Sequence, residues 1–361
     1  MSKEFNALLY QLLGKLQRYH RLRHALAILC VCGLIGLALN FLYQMLPRQF
    51  SLSIAGSDVV SNRYDLTKAL QTESLNQGIY LRIQPTADIT ELMARLDRHE
   101  LDLALVQEAD AERYPNIVQI ATLPPEALHV LVRPGIGQLT DLQGRQINLG
   151  LKHEEWHQHA MALLAFAGLR LDRDYLEANL SQEVLMSLPA SMLPDAIVTS
   201  SFIPSTLAEF LIQQRGYRLL DFPFPHTPPT QLGWARASQI PAFVYGAAPA
   251  MPPHPLPTAG IHLHLVGHKA VDAKAVYALL DTLYSPAMRA RTGLPFDEQQ
   301  ISSAAGYPLA EGSRRFLSRN TPLISTENFE KLKSMLGLCA SIVSALLVAL
   351  RWFRGEPLSA S

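Results

Sequence analysis

His153-Glu-Glu-Trp-His157 is the stretch of this chain whose residue types could most directly do chemistry. Two histidines four apart share one helix face, and the pattern H-E-x-x-H uses such a pair to hold zinc. The glutamate between them, here Glu154, would be the general base. A third ligand is needed, and Glu177 stands where a downstream glutamate could supply it. The extended form H-E-x-x-H-x-x-G-x-x-H fails at Ala160 and Leu163. The motif also falls at the start of a helix rather than inside one. The elements around it suggest something else. Residues 146–151 alternate Ile147, Leu149 and Leu151 toward one face, as a strand does. Trp156, Ala160, Leu163, Leu164 and Ala167 then mark one face of a helix running to Gly168, a C-cap residue. A strand feeding a helix through a short loop aims backbone N–H groups and the positive dipole end at whatever lies above the sheet. The same five residues therefore serve two readings, a metal site or a ligand-binding loop.

Other chemistry is sparse. His262, His264 and His268 alternate along a strand and could form a second metal cluster, or the solvated face of a strand whose Ile261, Leu263 and Leu265 point inward. No Ser-His-Asp grouping has a recognisable elbow, and there is no P-loop or dinucleotide fingerprint. The chain reads as a non-enzyme without a cofactor. Its three cysteines, Cys30, Cys32 and Cys339, lie in apolar runs near the two ends and leave the middle without a disulfide framework.

Charge is balanced overall, 31 basic against 31 acidic residues, but it is segregated. Residues 1–48 carry six Lys/Arg and one acid, and 331–361 carry four and one, leaving 21 basic and 29 acidic for 49–330. Basic ends around an acidic middle exclude nucleic-acid binding as the natural reading. They fit a membrane protein whose ends and middle lie on opposite sides. Residues 1–24 read as a basic amphipathic helix on the cytoplasmic face, with Phe5, Leu8, Leu9, Leu12, Leu13 and Leu16 at helical spacing. Residues 25–46 are apolar over about the 20 residues a bilayer crossing requires, with no small-residue cleavage site after them. A second transmembrane helix is expected over 334–353, built on the apolar run 334–350 that Lys333 and Arg351 flank. Both termini would be cytoplasmic, with the main domain in the periplasm and the inner membrane as the location.

The middle alternates strands and helices. Strands are expected at 51–55, 79–83, 101–106, 128–132, 195–198, 217–220 and 261–266, and helices at 64–74, 89–99, 205–214 and 270–283. Such a pattern implies an α/β fold with a largely parallel sheet covered on both faces. Ten prolines within 222–257 interrupt it, yet Trp234, Phe243, Val244 and Tyr245 make that segment too apolar for a disordered linker, so it reads as an ordered crossover.

Five pieces in this order carry a resemblance: Leu103-Ala-Leu-Val-Gln107, Leu139-Thr-Asp-Leu-Gln-Gly144, Asp195-Ala-Ile-Val198, Pro241-Ala-Phe-Val-Tyr-Gly246 and Ala310-Glu-Gly-Ser-Arg-Arg-Phe316. Over about 51–320 the chain resembles the TAXI-type solute receptors of tripartite ATP-independent periplasmic (TRAP) transporters and, more broadly, type II periplasmic binding proteins. The resemblance implies a two-lobed α/β ectodomain, lobe one at 51–133 plus 232–325 and lobe two at 134–231; the two membrane helices that flank it here depart from the freely diffusing form common among such receptors. It implies a small polar or anionic ligand, carboxylate or amino-acid-like, in the cleft, and a TRAP membrane subunit or a signalling protein as partner. Lipid would be met through the two anchors.

Ligands of open α/β sheets bind at the carboxyl ends of strands. That rule nominates Gly56, Ser57, Asp58, Thr86, Asp88 and Gln107 from lobe one, and His153, Trp156, Thr199, Ser200 and Ser201 from lobe two. Ser57, Asp58, Asp88 and Ser201 would serve equally as helix caps. Two segments depart from the family pattern. Ala55-Gly-Ser-Asp-Val-Val-Ser61 replaces a Gly-Gly-Thr opening, and Leu151-Lys-His-Glu-Glu-Trp156 replaces a loop of small residues. Bulky acidic groups there leave less room for backbone N–H groups to close on an anion.

Overall fold

The computed structural model describes residues 28–29, 31–37, 39, 49–56, 61–85, 88–107, 112–302 and 306–320. The chain divides into a unit of residues 49–319 and a second unit made of its two ends, 1–48 with 320–361. The described positions between 28 and 39 are helical. The expected helix at 1–24, the remainder of 25–46 and the expected membrane helix at 334–353 lie outside the described residues. Among the described residues no helix is long and apolar enough to cross a membrane.

Residues 49–319 begin with a strand–helix–strand unit. β1 (Phe50–Gly56) leads to α1 (Asn62–Ser74) and returns as β2 (Ile79–Pro85), parallel to β1. Ser61 caps α1 by accepting from the Tyr64 N–H. α2 (Ile89–Asp97), capped by Asp88, precedes the short buried β3 (Leu103–Val106), which pairs parallel with β1 on its other side. A long strand, β4 (Ile117–Val132), then leaves this set. The second parallel set consists of β5 (Gln146–Asn148), β6 (Leu176–Ala178) and β7 (Ala196–Ser201), linked by α3 (Glu155–Phe166) and the short α4 (Gln182–Ser187). After β7 come α5 (Thr206–Arg215), the two-residue β8 (Arg218–Leu219), β9 (Ala235–Ile240), a small hairpin β10 (Gly246–Ala247) and β11 (Ala250–Met251), and the long β12 (Leu256–His268). α6 (Ala273–Leu283), α7 (Pro286–Thr292) and α8 (Glu311–Leu317) close the unit.

The main sheet runs β2-β1-β3-β12-β4-β7-β5-β6. Two parallel triplets are joined by an antiparallel pair, β12 against β4, and this pair belongs to both halves. With 16 and 13 residues, rising about 3.3 Å each, the two strands extend across both lobes. The cores separate accordingly. Leu52, Ile54, Leu70, Leu279, Leu280 and Phe316 pack together in one lobe, with Leu92, Leu96, Val106 and Val266 in a second cluster. Ile147, Trp156, Leu163, Val198 and Phe222 fill the other lobe, with Leu131, Ile197, Leu211 and Tyr245 in its second cluster.

Three expectations change. The lobes do not part at residue 133, because Leu128, Val130 and Val132 of β4 already pack in the second lobe's core, as do Leu232, Ala235, Ala259 and Ile261. The crossing lies inside β4 and β12. The strand expected at 128–132 is 16 residues long because Pro124-Pro125, which reads as a break, sits at a β-bulge. Leu123 pairs with Leu263 and Glu126 with Ile261, so the two prolines oppose His262 alone. Finally, the histidines of β12 do not form a solvated face. β12 is central, His264 is buried against Thr122 Oγ1 at 3.1 Å, and His262 is half-buried.

Candidate functional site

Where the two triplets face each other across the crossing strands, the structure holds a cavity of about 120 Å³. Its lining comes from both lobes and from β4: the first turn of α1, Leu105 of β3, Glu126, the 148–156 loop and helix start, and 197–201 of β7. That volume admits several waters or one small organic molecule, since a water needs roughly 10–15 Å³ by this measure.

Arg63 organises the cavity. It lies in the first turn of α1, at the positive end of the helix dipole, where a cation is disfavoured unless an anion answers it. The answer is Glu126 of β4, which is 1% exposed. Arg63 Nε and one terminal nitrogen donate to its two carboxylate oxygens at 2.7 and 2.6 Å, a fork-on-carboxylate geometry. The other terminal nitrogen faces Glu155 at 3.6 Å. Burial penalises the Arg63 cation, but attraction and hydrogen bonding from Glu126, with Glu155 and Glu154 behind it, outweigh that and hold its pKa above the ordinary value.

Gln107 ties the cluster to β3 and to the second lobe. Its side-chain amide donates to Glu126 at 2.6 Å and to Ser200 Oγ at 3.0 Å, and its backbone N–H donates to Glu155 at 2.8 Å. His159 meets the Gln107 amide oxygen at 3.1 Å and lies against the Trp234 ring, with centroids 4.1 Å apart. Burial, with Arg63 adding to it, lowers the His159 pKa to about 4, so its imidazole is neutral at pH 7. At the helix start, Glu154 accepts from the Leu151 N–H at 3.3 Å. Gly150 makes room for that carboxylate: its φ is +82°, and a Cβ there would stand 2.6 Å from Glu154 Oε2. Asn62, next to Arg63, reaches the second lobe directly, donating to the Pro204 carbonyl at 2.7 Å.

The structure brings some of the expected site residues together and not others. Gln107, Trp156, Thr199, Ser200 and Ser201 all border the cavity or its hydrogen-bonded cluster. Trp156 is anchored rather than free, its indole N–H donating to the Val198 carbonyl at 3.1 Å. Asp88 is the N-cap of α2, bonded to the Glu91 N–H. Gly56 ends β1 where a Cβ would stand 2.7 Å from Ile83 and 3.2 Å from Tyr64, so its smallness serves packing. Ser57, Asp58 and Thr86 lie outside the described residues. His153 is exposed in the turn ahead of α3, off the helix that carries His157. His157 does meet Glu177, the proposed third ligand, but through a direct short contact. Asn179 also donates to Glu177 at 2.7 Å, and Lys152 lies 3.8 Å from it. With His153 elsewhere, this is a hydrogen-bonded pair. No group of three or more His, Cys, Asp or Glu placed to hold a metal occurs among the described residues.

Arg63, Glu126, Glu155 and His159 were not among the residues expected from the strand-end rule. Two of them had a signal in the sequence: an arginine immediately ahead of the helix expected at 64–74, and a glutamate inside Leu-Pro-Pro-Glu-Ala-Leu, with apolar residues on both sides.

Two parallel triplets joined by long antiparallel crossing strands, with a polar cavity between the lobes, define a two-lobed α/β domain of the type II periplasmic-binding kind. A family model narrows this. Residues 68–318, more than half of the chain, match the NMT1-like family, and the chain belongs to it. Arg63 falls just ahead of the matched segment, whereas Gln107, Glu126, Glu155 and Ser200 lie within it. Among solved structures the chain is similar to an ancestral arginine-binding protein bound to arginine (15% identity, 68% of this chain and 97% of that one, TM-score 0.43). It is also similar to the alkanesulfonate-binding protein SsuA from Xanthomonas axonopodis pv. citri bound to MOPS (16%, 81% and 93%, 0.39). A third is the BenM effector binding domain with its effector benzoate (13%, 70% and 97%, 0.44). No curated protein matched the chain.

Proposed function

We propose that this chain is a membrane-anchored solute receptor whose two lobes close on a small polar molecule. The observation that carries the reading is the cavity itself, bordered by side chains from both lobes and from a strand that crosses between them. A ligand there would favour the closed arrangement by its differential contacts and so change the surface offered to a membrane partner. In this reading the apolar segments at 25–46 and 334–353 tether the domain to the inner membrane, the termini are cytoplasmic and residues 49–319 face the periplasm. The partner would be a TRAP-type membrane subunit, in keeping with the TAXI-like motifs. The test is a thermal-shift screen of the full-length protein in detergent against amines, amino acids, sugars and organic acids. A true ligand at about 100 times its Kd should raise the midpoint by about 5 °C. No shift across the panel, with Ser200→Trp leaving every property of the protein unchanged, would end this reading.

A second reading keeps the fold but not the transport: a sensory or interaction module. The specific observation favouring it is that the cavity's arginine is already engaged by the chain's own Glu126. Pull-down of a partner whose binding survives Ser200→Trp would favour it over the first.

A further inference from the structure

We propose that Glu126 is a built-in surrogate for a solute carboxylate, closing this cleft to anions, and that truncating it turns the cleft into a carboxylate site. The inference rests on the cleft being the place where the fold takes its solute. A two-lobed α/β receptor has three devices for holding an anion: an arginine fork, a free N–H at a strand's carboxyl end, and the N–H groups at a helix start. The first two are present here and each meets a carboxylate of the chain itself, and a loop N–H ahead of α3 meets a third. Glu126 takes both forward donors of Arg63 at 2.6 and 2.7 Å. Glu155 takes the Gln107 N–H at the end of β3, at 2.8 Å. Glu154 takes the Leu151 N–H ahead of α3, in space that Gly150 leaves open.

Charge points the same way. The cavity lining among the described residues contains one cation, Arg63, and three carboxylates, Glu126, Glu154 and Glu155. An entering anion would have to displace an internal carboxylate held at short range and join the remaining two. A neutral or cationic solute meets neither obstacle. Glu126 is the decisive member because it projects from a crossing strand shared by both lobes and is buried, so it cannot swing into solvent to make way.

Glu126→Ala removes a fragment the size of acetate while leaving the Arg63 fork in place. The probe is sodium acetate against sodium chloride at equal ionic strength, on the full-length protein in detergent. The readouts are the unfolding midpoint and line broadening of carbon-13 acetate. The variant should be stabilised by acetate, by about 5 °C at about 100 times its Kd, with formate acting less and butyrate excluded by size. The native protein should not respond, and adding Arg63→Met to Glu126→Ala should abolish the response. If the variant does not accumulate folded, its refolding yield in acetate against chloride becomes the readout, and a rise confined to acetate is expected. Acetate binding by the native protein that is lost on Arg63→Met would overturn the inference and leave the receptor reading standing. A folded variant indifferent to acetate, or a refolding yield equal in both salts, would also overturn it. Acetate binding by the variant alongside a native protein that takes no solute of any class would uphold the inference and sink the receptor reading.

Discussion

Replacing Arg63 with methionine asks the most of the cluster that closes the cleft. Arg63 and Glu126 are 16% and 1% exposed in their side chains, so neither charge is well hydrated once its partner goes. Breaking a buried pair by removing one member costs about 3–5 kcal/mol, because the other charge is left uncompensated. Here the stranded Glu126 keeps two donors, the Gln107 amide at 2.6 Å and the Ser200 hydroxyl at 3.4 Å, which places the expected loss near the lower end, about 3 kcal/mol. For a unit of this size that lowers the melting midpoint by roughly 5–6 °C. The control is Arg63→Met combined with Glu126→Leu. Swapping both charges for apolar groups is commonly neutral or better, so the double variant should return to within about 1 kcal/mol of the native protein. Equilibrium urea unfolding of the four proteins gives the cycle directly. A loss under about 1 kcal/mol for Arg63→Met, or a double variant no more stable than the single, would refute the view that this pair is buried and mutually dependent.

Three further outcomes are expected. Burial lowers the pKa values of His129, His159 and His264 to about 4, against about 6.5 unfolded, so the unfolded chain binds more protons. Stability is then complete above pH 6.5 and falls as pH drops through 6.5 toward 4, by about 3 kcal/mol per histidine once all are protonated. Urea midpoints that are flat between pH 7 and pH 5 would contradict this. Tyr245→Phe removes the hydroxyl that joins His129 Nε2 at 2.6 Å to the Ser205 N–H at 3.0 Å, and should cost about 1–3 kcal/mol in urea unfolding; under 0.5 kcal/mol would mean that water or a neighbour replaces it. Gly312→Ala would place a Cβ 2.4 Å from the Ala273 carbonyl and 2.6 Å from Val276, forcing α8 off α6 at about 1–3 kcal/mol, and an unchanged melting midpoint would show that the helices yield freely.

The architecture was legible because its signals are local. Alternation at 51–55 and 79–83, the apolar run at 103–106 and the helix expected at 64–74, which starts two residues earlier behind Ser61, each declare themselves within a few residues. β4 was only half legible, since Pro124-Pro125 reads as punctuation unless one knows that the strand bulges there opposite His262. The site was harder for the same reason in stronger form. Strand-end positions such as Thr199 and Ser200 follow from fold logic and border the cavity, and Gln107 bonds to the residues that line it. Arg63 and Glu126 are 63 residues apart and acquire meaning only when a helix start is brought against a crossing strand. His153 and His157 show the reverse failure. Their spacing is correct for a metal, but the helix begins after His153, so no shared face forms.

The central claim is that the cleft between the lobes holds a small polar solute carrying no carboxylate. Native mass spectrometry of the full-length protein, isolated gently from cells that express it, addresses it most directly, with Ser200→Trp as the blocked comparison. One non-anionic small molecule per chain in the native protein, absent from a Ser200→Trp variant that still unfolds cooperatively, is the expected result. A co-purifying carboxylate, or the same bound species in both proteins, would contradict it.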